Sequence, residues 1–173
     1  MIMSAYGNVG LVMLALLPLA ALVVWGLARL RLRAGSTTGV AWRLSLAEVG
    51  IVYGTLPWLW LIAQPGSSDR LVDRAVHLDP LRDLVTMPPY QIIGNLLVFA
   101  ALGFFAPMRF GWVASVPRVL ALAAVCSLLV EISQYAAGHG RVSSLDDVLL
   151  NSAGAGLAAL ASHRWRRPLT RRT

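Results

Sequence analysis

Six residues that could do chemistry together, Glu131, Gln134, Arg141, Asp146, Asp147 and Asn151, fall within one stretch, SLLVEISQYAAGHGRVSSLDDVLLN, from Ser127 to Asn151. The chain is 57% apolar, and most of its remaining charge flanks hydrophobic runs. Ionisable groups held at membrane depth are costly and usually mark a site. Glu131 with Asp146 or Asp147 offers paired carboxylates, which suit acid–base or metal-assisted hydrolysis of a lipid-linked substrate. Arg141 offers a planar fork of donors for a carboxylate or another anion. Gln134, Asn151 and the upstream Asn95 offer neutral amides for orienting a ligand. His139 lies close to Arg141 and the aspartates and is the histidine placed to join a metal site, whereas His77 and His163 are scattered. No nucleophile elbow, HExxH or P-loop is present. The pattern therefore leans towards binding and demands neither an enzyme, a metal nor a cofactor.

The same residues have a purely structural account. Ser144, with Asp147 three residues on, fits a capping box, and Asp146 and Asp147 suit the positive end of a helix dipole. Asn95 and Asn151 would hydrogen-bond across helices, and Glu131 with Arg141 would form a buried ion pair. Glu131 is the residue that no cap explains.

Hydrophobic elements must position these groups. The 173 residues have a mean hydropathy of +0.67 and 13% charged residues, which excludes a disordered chain and points to a small membrane domain. Five apolar runs, at about 8–28, 44–63, 90–108, 117–136 and 147–163, approach the length needed to cross a bilayer, the fifth being short. None alternates polar with apolar, so the expected fold is an all-α integral membrane bundle of about five transmembrane helices. No repeat is visible, which disfavours an inverted-repeat transporter. No basic residue precedes the first run, so it reads as a retained anchor and not a cleaved signal. The single cysteine, Cys126, excludes an intrachain disulfide.

The net charge of +7 is carried entirely by arginine. Because the arginines flank hydrophobic runs, nucleic-acid binding is not expected. Arg29, Arg31, Arg33 and Arg43, then Arg109 and Arg118, then Arg164, Arg166, Arg167, Arg171 and Arg172 share one side in a five-span topology. The other side holds Arg70, Arg74, Arg82 and Arg141 among six aspartates. This positive-inside bias predicts a multi-pass membrane protein with the N-terminus outside and the C-terminus cytoplasmic. The polar cluster then lies on the extracytoplasmic side, about one helical turn below the ends of three helices. The domain reading is an anchor helix and basic loop over 1–43, a four-helix membrane domain over 44–163 and a basic tail over 164–173.

Outside the cluster, Gly50 and Gly54 form a GxxxG pair in the second span, suited to close helix packing or to a homodimer. Glu48 can reach the interface or pair with Arg43, and Pro57 is expected to kink its span. Trp58, Trp60, Trp112 and Trp165 read as belt residues.

At these residues the chain resembles the VanZ-like family, named for a teicoplanin-resistance protein. The resemblance covers roughly residues 44–162 and rests on GNLLVFAALGFFAPM (Gly94–Met108), EISQ (Glu131–Gln134) and GRVSSLDDVLLNSAG (Gly140–Gly154). The last of these aligns Arg141, Asp146, Asp147, Asn151 and Gly154 with the family pattern, and HLDPLRDL (His77–Leu84) resembles a segment common before the third span. Ala101 stands where many members have the proline that would kink the third span, and Ser144 where many have an acid. The resemblance implies a small helical protein of the bacterial envelope and, for the named member, reduced susceptibility to a lipoglycopeptide. The expected partners are the lipid bilayer and an envelope lipid, cell-wall precursor or lipoglycopeptide. A membrane-embedded hydrolase or transferase is the alternative, and a transporter would need a polar path that the apolar inner halves of spans three to five do not offer.

Overall fold

The computed structural model describes residues 2–62, 76–77, 81, 84–136 and 143–165. Long apolar runs free of helix-breaking clusters become helices: α1 (Ile2–Arg33), α2 (Thr38–Ile62), α3 (Pro89–Val98), α4 (Ala100–Arg109), α5 (Val116–Ala136) and α6 (Leu145–Ala161). Four segments are long and apolar enough to cross a membrane: Gly7–Arg33, Thr38–Ile62, Pro89–Arg109 and Val116–Ala136. The 17-residue α6 spans only about 25 Å at 1.5 Å per residue, matching the short fifth run. Large apolar side chains stand exposed along α1 (Leu11, Leu14, Leu22), α5 (Leu129, Ile132) and α6 (Leu157, Leu160). A soluble protein does not leave such continuous surfaces bare; acyl chains are their natural solvent. The protein is an all-α membrane bundle.

The helix ends extend beyond the apolar runs. Arg29, Arg31, Arg33 and Arg43, expected around a loop, are helical, and the turn between α1 and α2 is only residues 34–37. It is a Schellman closure: Gly35 takes φ +86°, its N–H donates to the Leu32 carbonyl (3.1 Å), and the Ser36 N–H donates to the Arg31 carbonyl (3.0 Å). The third span is interrupted at Phe99, at φ −112° and ψ 12°, although position 101 is an alanine and not a kinking proline. The break lets α3 and α4 each lie against α6 at backbone distance. A Cβ on Gly154 would sit 1.9 Å from the Leu96 carbonyl oxygen, and one on Gly103 would sit 2.1 Å from that of Ala155.

In space α2 packs between α1 and α4, and α6 packs between the broken span and α5. Gly50 and Gly54 face α4, where added Cβ atoms would meet the Phe105 ring at 2.5 Å and the Ala101 Cβ at 2.4 Å. This glycine face is therefore filled by the same chain. Val98, Phe99, Val119, Ala123, Ala155 and Ala159 form the buried core, with Trp58 packed against it as well.

The bundle has two unlike ends. One gathers the C-terminal ends of α1, α4 and α6 with the N-terminal ends of α2 and α5, and carries Arg31, Arg33, Arg43, Arg109 and Arg118. The other gathers the C-terminal ends of α2 and α5 with the N-terminal ends of α3 and α6. There the segments β1 (Val76–His77) and β2 (Ser143–Ser144) make a two-residue parallel pairing, Val76 with Ser143 and His77 with Ser144.

Candidate functional site

The α6 N-terminus organises the polar end. Ser144 is extended and its hydroxyl accepts the Asp146 N–H at 3.2 Å, the N-cap that the sequence suggested. Asp146 is buried and its carboxylate reaches outside the helix. Oδ1 accepts the Leu81 N–H at 2.6 Å and Oδ2 the Leu84 N–H at 3.0 Å. Leu81 has φ +66°, a left-handed conformation unfavourable for a branched side chain. Its N–H is held by the carboxylate, so Asp146 ties the segment before α3 to the start of α6. Both oxygens are engaged by these backbone groups.

The next residue of α6, Asp147, accepts a hydrogen bond from the Asn95 amide of α3. One turn further, Asn151 is 4% exposed and its Nδ2 donates to the Ser127 hydroxyl of α5 at 2.7 Å. Because α5 and α6 run antiparallel, the Ser127–Asn151 contact places Glu131, four residues on, level with Asp147, four residues back. Glu131 is half-buried there. Asn95 and Asn151 each lie six residues inside their helix, about 9 Å from its end. Gln134 is buried near the mouth and donates to the Ile62 carbonyl of α2 at 2.8 Å.

Asn95, Glu131, Gln134, Asp146, Asp147 and Asn151 are thus all at one end of the bundle. Arg141, the seventh candidate, and His139 lie outside the described residues. Two participants escaped the candidate set. Ser127 shares a face with Glu131 and Gln134 at i, i+4 and i+7, and that spacing was the signal available for it. Leu81 acts through its backbone, which no side-chain pattern marks. Among the described residues no group of three or more His, Cys, Asp or Glu is placed to hold a metal ion. Among the described residues, the buried Asn151 Oδ1 has no hydrogen-bond partner. Buried polar atoms in native proteins are nearly always paired, so this one calls for an explanation.

The opposite end is an ion-pair junction. Glu48 of α2 pairs with Arg31 of α1 and Arg109 of α4, both at 2.5 Å, and Arg31 also donates to the buried Ser45 hydroxyl. Those two partners come from other helices, where sequence proximity to Arg43 does not point.

The VanZ/LLP1 family model matches residues 49–166. The chain belongs to the VanZ/LLP1 family. The match contains every candidate site residue and begins one residue after Glu48, so the Glu48–Arg31 pair joins α1 to the matched VanZ-like region. No curated protein and no solved structure matches the chain.

Proposed function

We propose that this VanZ-like protein is a membrane binding protein whose polar end receives the headgroup of an envelope lipid, a cell-wall precursor or a lipoglycopeptide such as teicoplanin. The observation that carries the reading is the unpaired Asn151 Oδ1, buried beside Ser127 of α5 and one turn from the Asn95–Asp147 contact. A ligand hydroxyl or amide donating to that oxygen would complete it. Glu131 and Asp147 would contact the headgroup around it, Asn95 orients Asp147, and Gln134 closes the mouth against α2. Arg141 would meet an anionic or carboxylate group of the ligand. The site opens extracytoplasmically, in a protein of the bacterial cytoplasmic membrane.

The alternative, hydrolysis or transfer on a lipid-linked substrate, is favoured by one observation: Glu131 stands level with Asp147, giving two carboxylates with Asp146 already engaged elsewhere. A transporter is disfavoured by the apolar layer of Val98, Phe99, Val119, Ala123, Ala155 and Ala159 between the two ends.

The deciding experiment is teicoplanin susceptibility of a sensitive host expressing wild type, Glu131→Gln or Asn151→Leu at matched membrane levels. Wild type should protect and both variants should lose protection while keeping their thermal stability in detergent. Protection retained by both variants would overturn the assignment of this site. No protection by wild type would remove the lipoglycopeptide, and turnover of a lipid phosphate lost in Glu131→Gln would establish the catalytic alternative.

A further inference from the structure

Three arginines near the end of α1 take two different directions. Arg31 turns inward to Ser45 and Glu48. Arg29 and Arg33, four residues apart and so on one face, turn outward and are exposed. Among the described residues neither makes an ion pair or a hydrogen bond. Together with Trp25, Gly26, Leu30 and Leu32 they line an open groove of about 780 Å³. The floor is open at Gly26, where an added Cβ would meet nothing within 4 Å. The Arg29 guanidinium lies 5.3 Å from the centroid of the Trp25 ring, a contact that positions the cation without neutralising it.

The groove has two uncompensated guanidinium groups at its rim and an apolar body descending along a membrane-spanning helix. Guanidinium forks match phosphate oxygens, and basic residues at a bilayer interface attract anionic lipid, by roughly fivefold per residue. We propose that this groove is a seat for one anionic phospholipid, its phosphate between Arg29 and Arg33 and an acyl chain along Trp25, Gly26 and Leu30. The seat lies on the helix outside the family match and at the end of the bundle away from the polar site, so it stands or falls independently of the ligand proposed there.

Trp25 is the natural reporter. The full-length protein is reconstituted in phosphatidylcholine bilayers with rising fractions of brominated phosphatidylglycerol or brominated phosphatidylcholine. The Trp25 signal is taken as the difference between wild type and Trp25→Phe, since the chain has six tryptophans. Half-quenching should need at least fivefold less of the anionic lipid, and that preference should vanish in Arg29→Gln/Arg33→Gln. Millimolar inorganic phosphate should leave it unchanged. Equal quenching by the two lipids in wild type needs no variant to be read and would overturn the proposal. So would a preference that survives the double substitution, or displacement by inorganic phosphate, which would mark a site for a free anion.

Discussion

Asp146 shows how one carboxylate can tie a distant backbone segment to the start of a helix. Its two oxygens accept backbone N–H groups from residues 65 and 62 positions upstream, one of them on Leu81 in a left-handed conformation. Hydrogen bonds to a charged acceptor contribute about 1.5–3 kcal/mol each, enough to offset the roughly 1–2 kcal/mol that a left-handed Leu costs. Asp146→Asn keeps the size and one acceptor oxygen but turns an NH₂ towards a backbone N–H. Hydrogen exchange in detergent should then accelerate at the Leu81 and Leu84 amides by about 30-fold, corresponding to a loss of about 2 kcal/mol, while amides in the middle of α5 keep their protection. Unchanged exchange at both amides would mean that the strand pairing, not the carboxylate, holds the segment. The contrast with Asn151 is instructive. Asp146 has both oxygens satisfied and so reads as a structural clasp, whereas Asn151 has one atom satisfied and one not, and so reads as part of a site.

Among the elements, α6 depends on having no side chain where it meets the broken span. Gly154 touches the Leu96 carbonyl and Gly103 touches that of Ala155, so the two backbones approach across the interface from both directions. Small residues allow such contacts, which replace the hydrophobic driving force that lipid does not supply. Gly154→Ala has no space to place its methyl and should lower stability in detergent by about 2 kcal/mol or more, read as a drop in thermal midpoint. Gly10→Ala on α1, with nothing within 4 Å, is the control and should be near neutral. Equal midpoints for the two variants would show that α6 can move away without cost. The sequence announces helices through apolar length, and because 1.5 Å per residue is a reliable ruler it puts Asn95, Glu131 and Asn151 at one end of the bundle, although packing sets Glu131 level with Asp147 and leaves Asn151 one turn deeper, beside Ser127. The interruption at Phe99 has no local marker, since it accommodates α6, an element more than 40 residues further on. For the same reason the partners of Asp146 and Glu48 were not legible: they are brought in by packing across the bundle, and spacing along one helix carries no trace of them.

For the molecule as a whole, the division into two ends bears on sidedness. The helix ends that collect the arginines also hold the Glu48 junction and the groove beside Arg29 and Arg33, while the opposite end holds the Asn95–Asp147 and Ser127–Asn151 contacts. Among the described residues, Arg29, Arg31, Arg33, Arg43, Arg109 and Arg118 all lie towards the first end. Arginine resists translocation, so this end should face the cytoplasm and the polar end should face outward. Single-cysteine labelling in a Cys126→Ser background tests it at two exposed positions, Gly111 in the turn between α4 and α5 and Ala136 at the end of α5. Ala136→Cys should react with a membrane-impermeant maleimide on intact cells, and Gly111→Cys only after lysis. The reverse pattern would put the polar site on the cytoplasmic face, where no lipoglycopeptide arrives from outside. The fold would be untouched, but the ligand would then have to be a lipid or precursor presented from within, and the teicoplanin reading would fall for reasons of access, whatever the chemistry of Glu131 and Asn151.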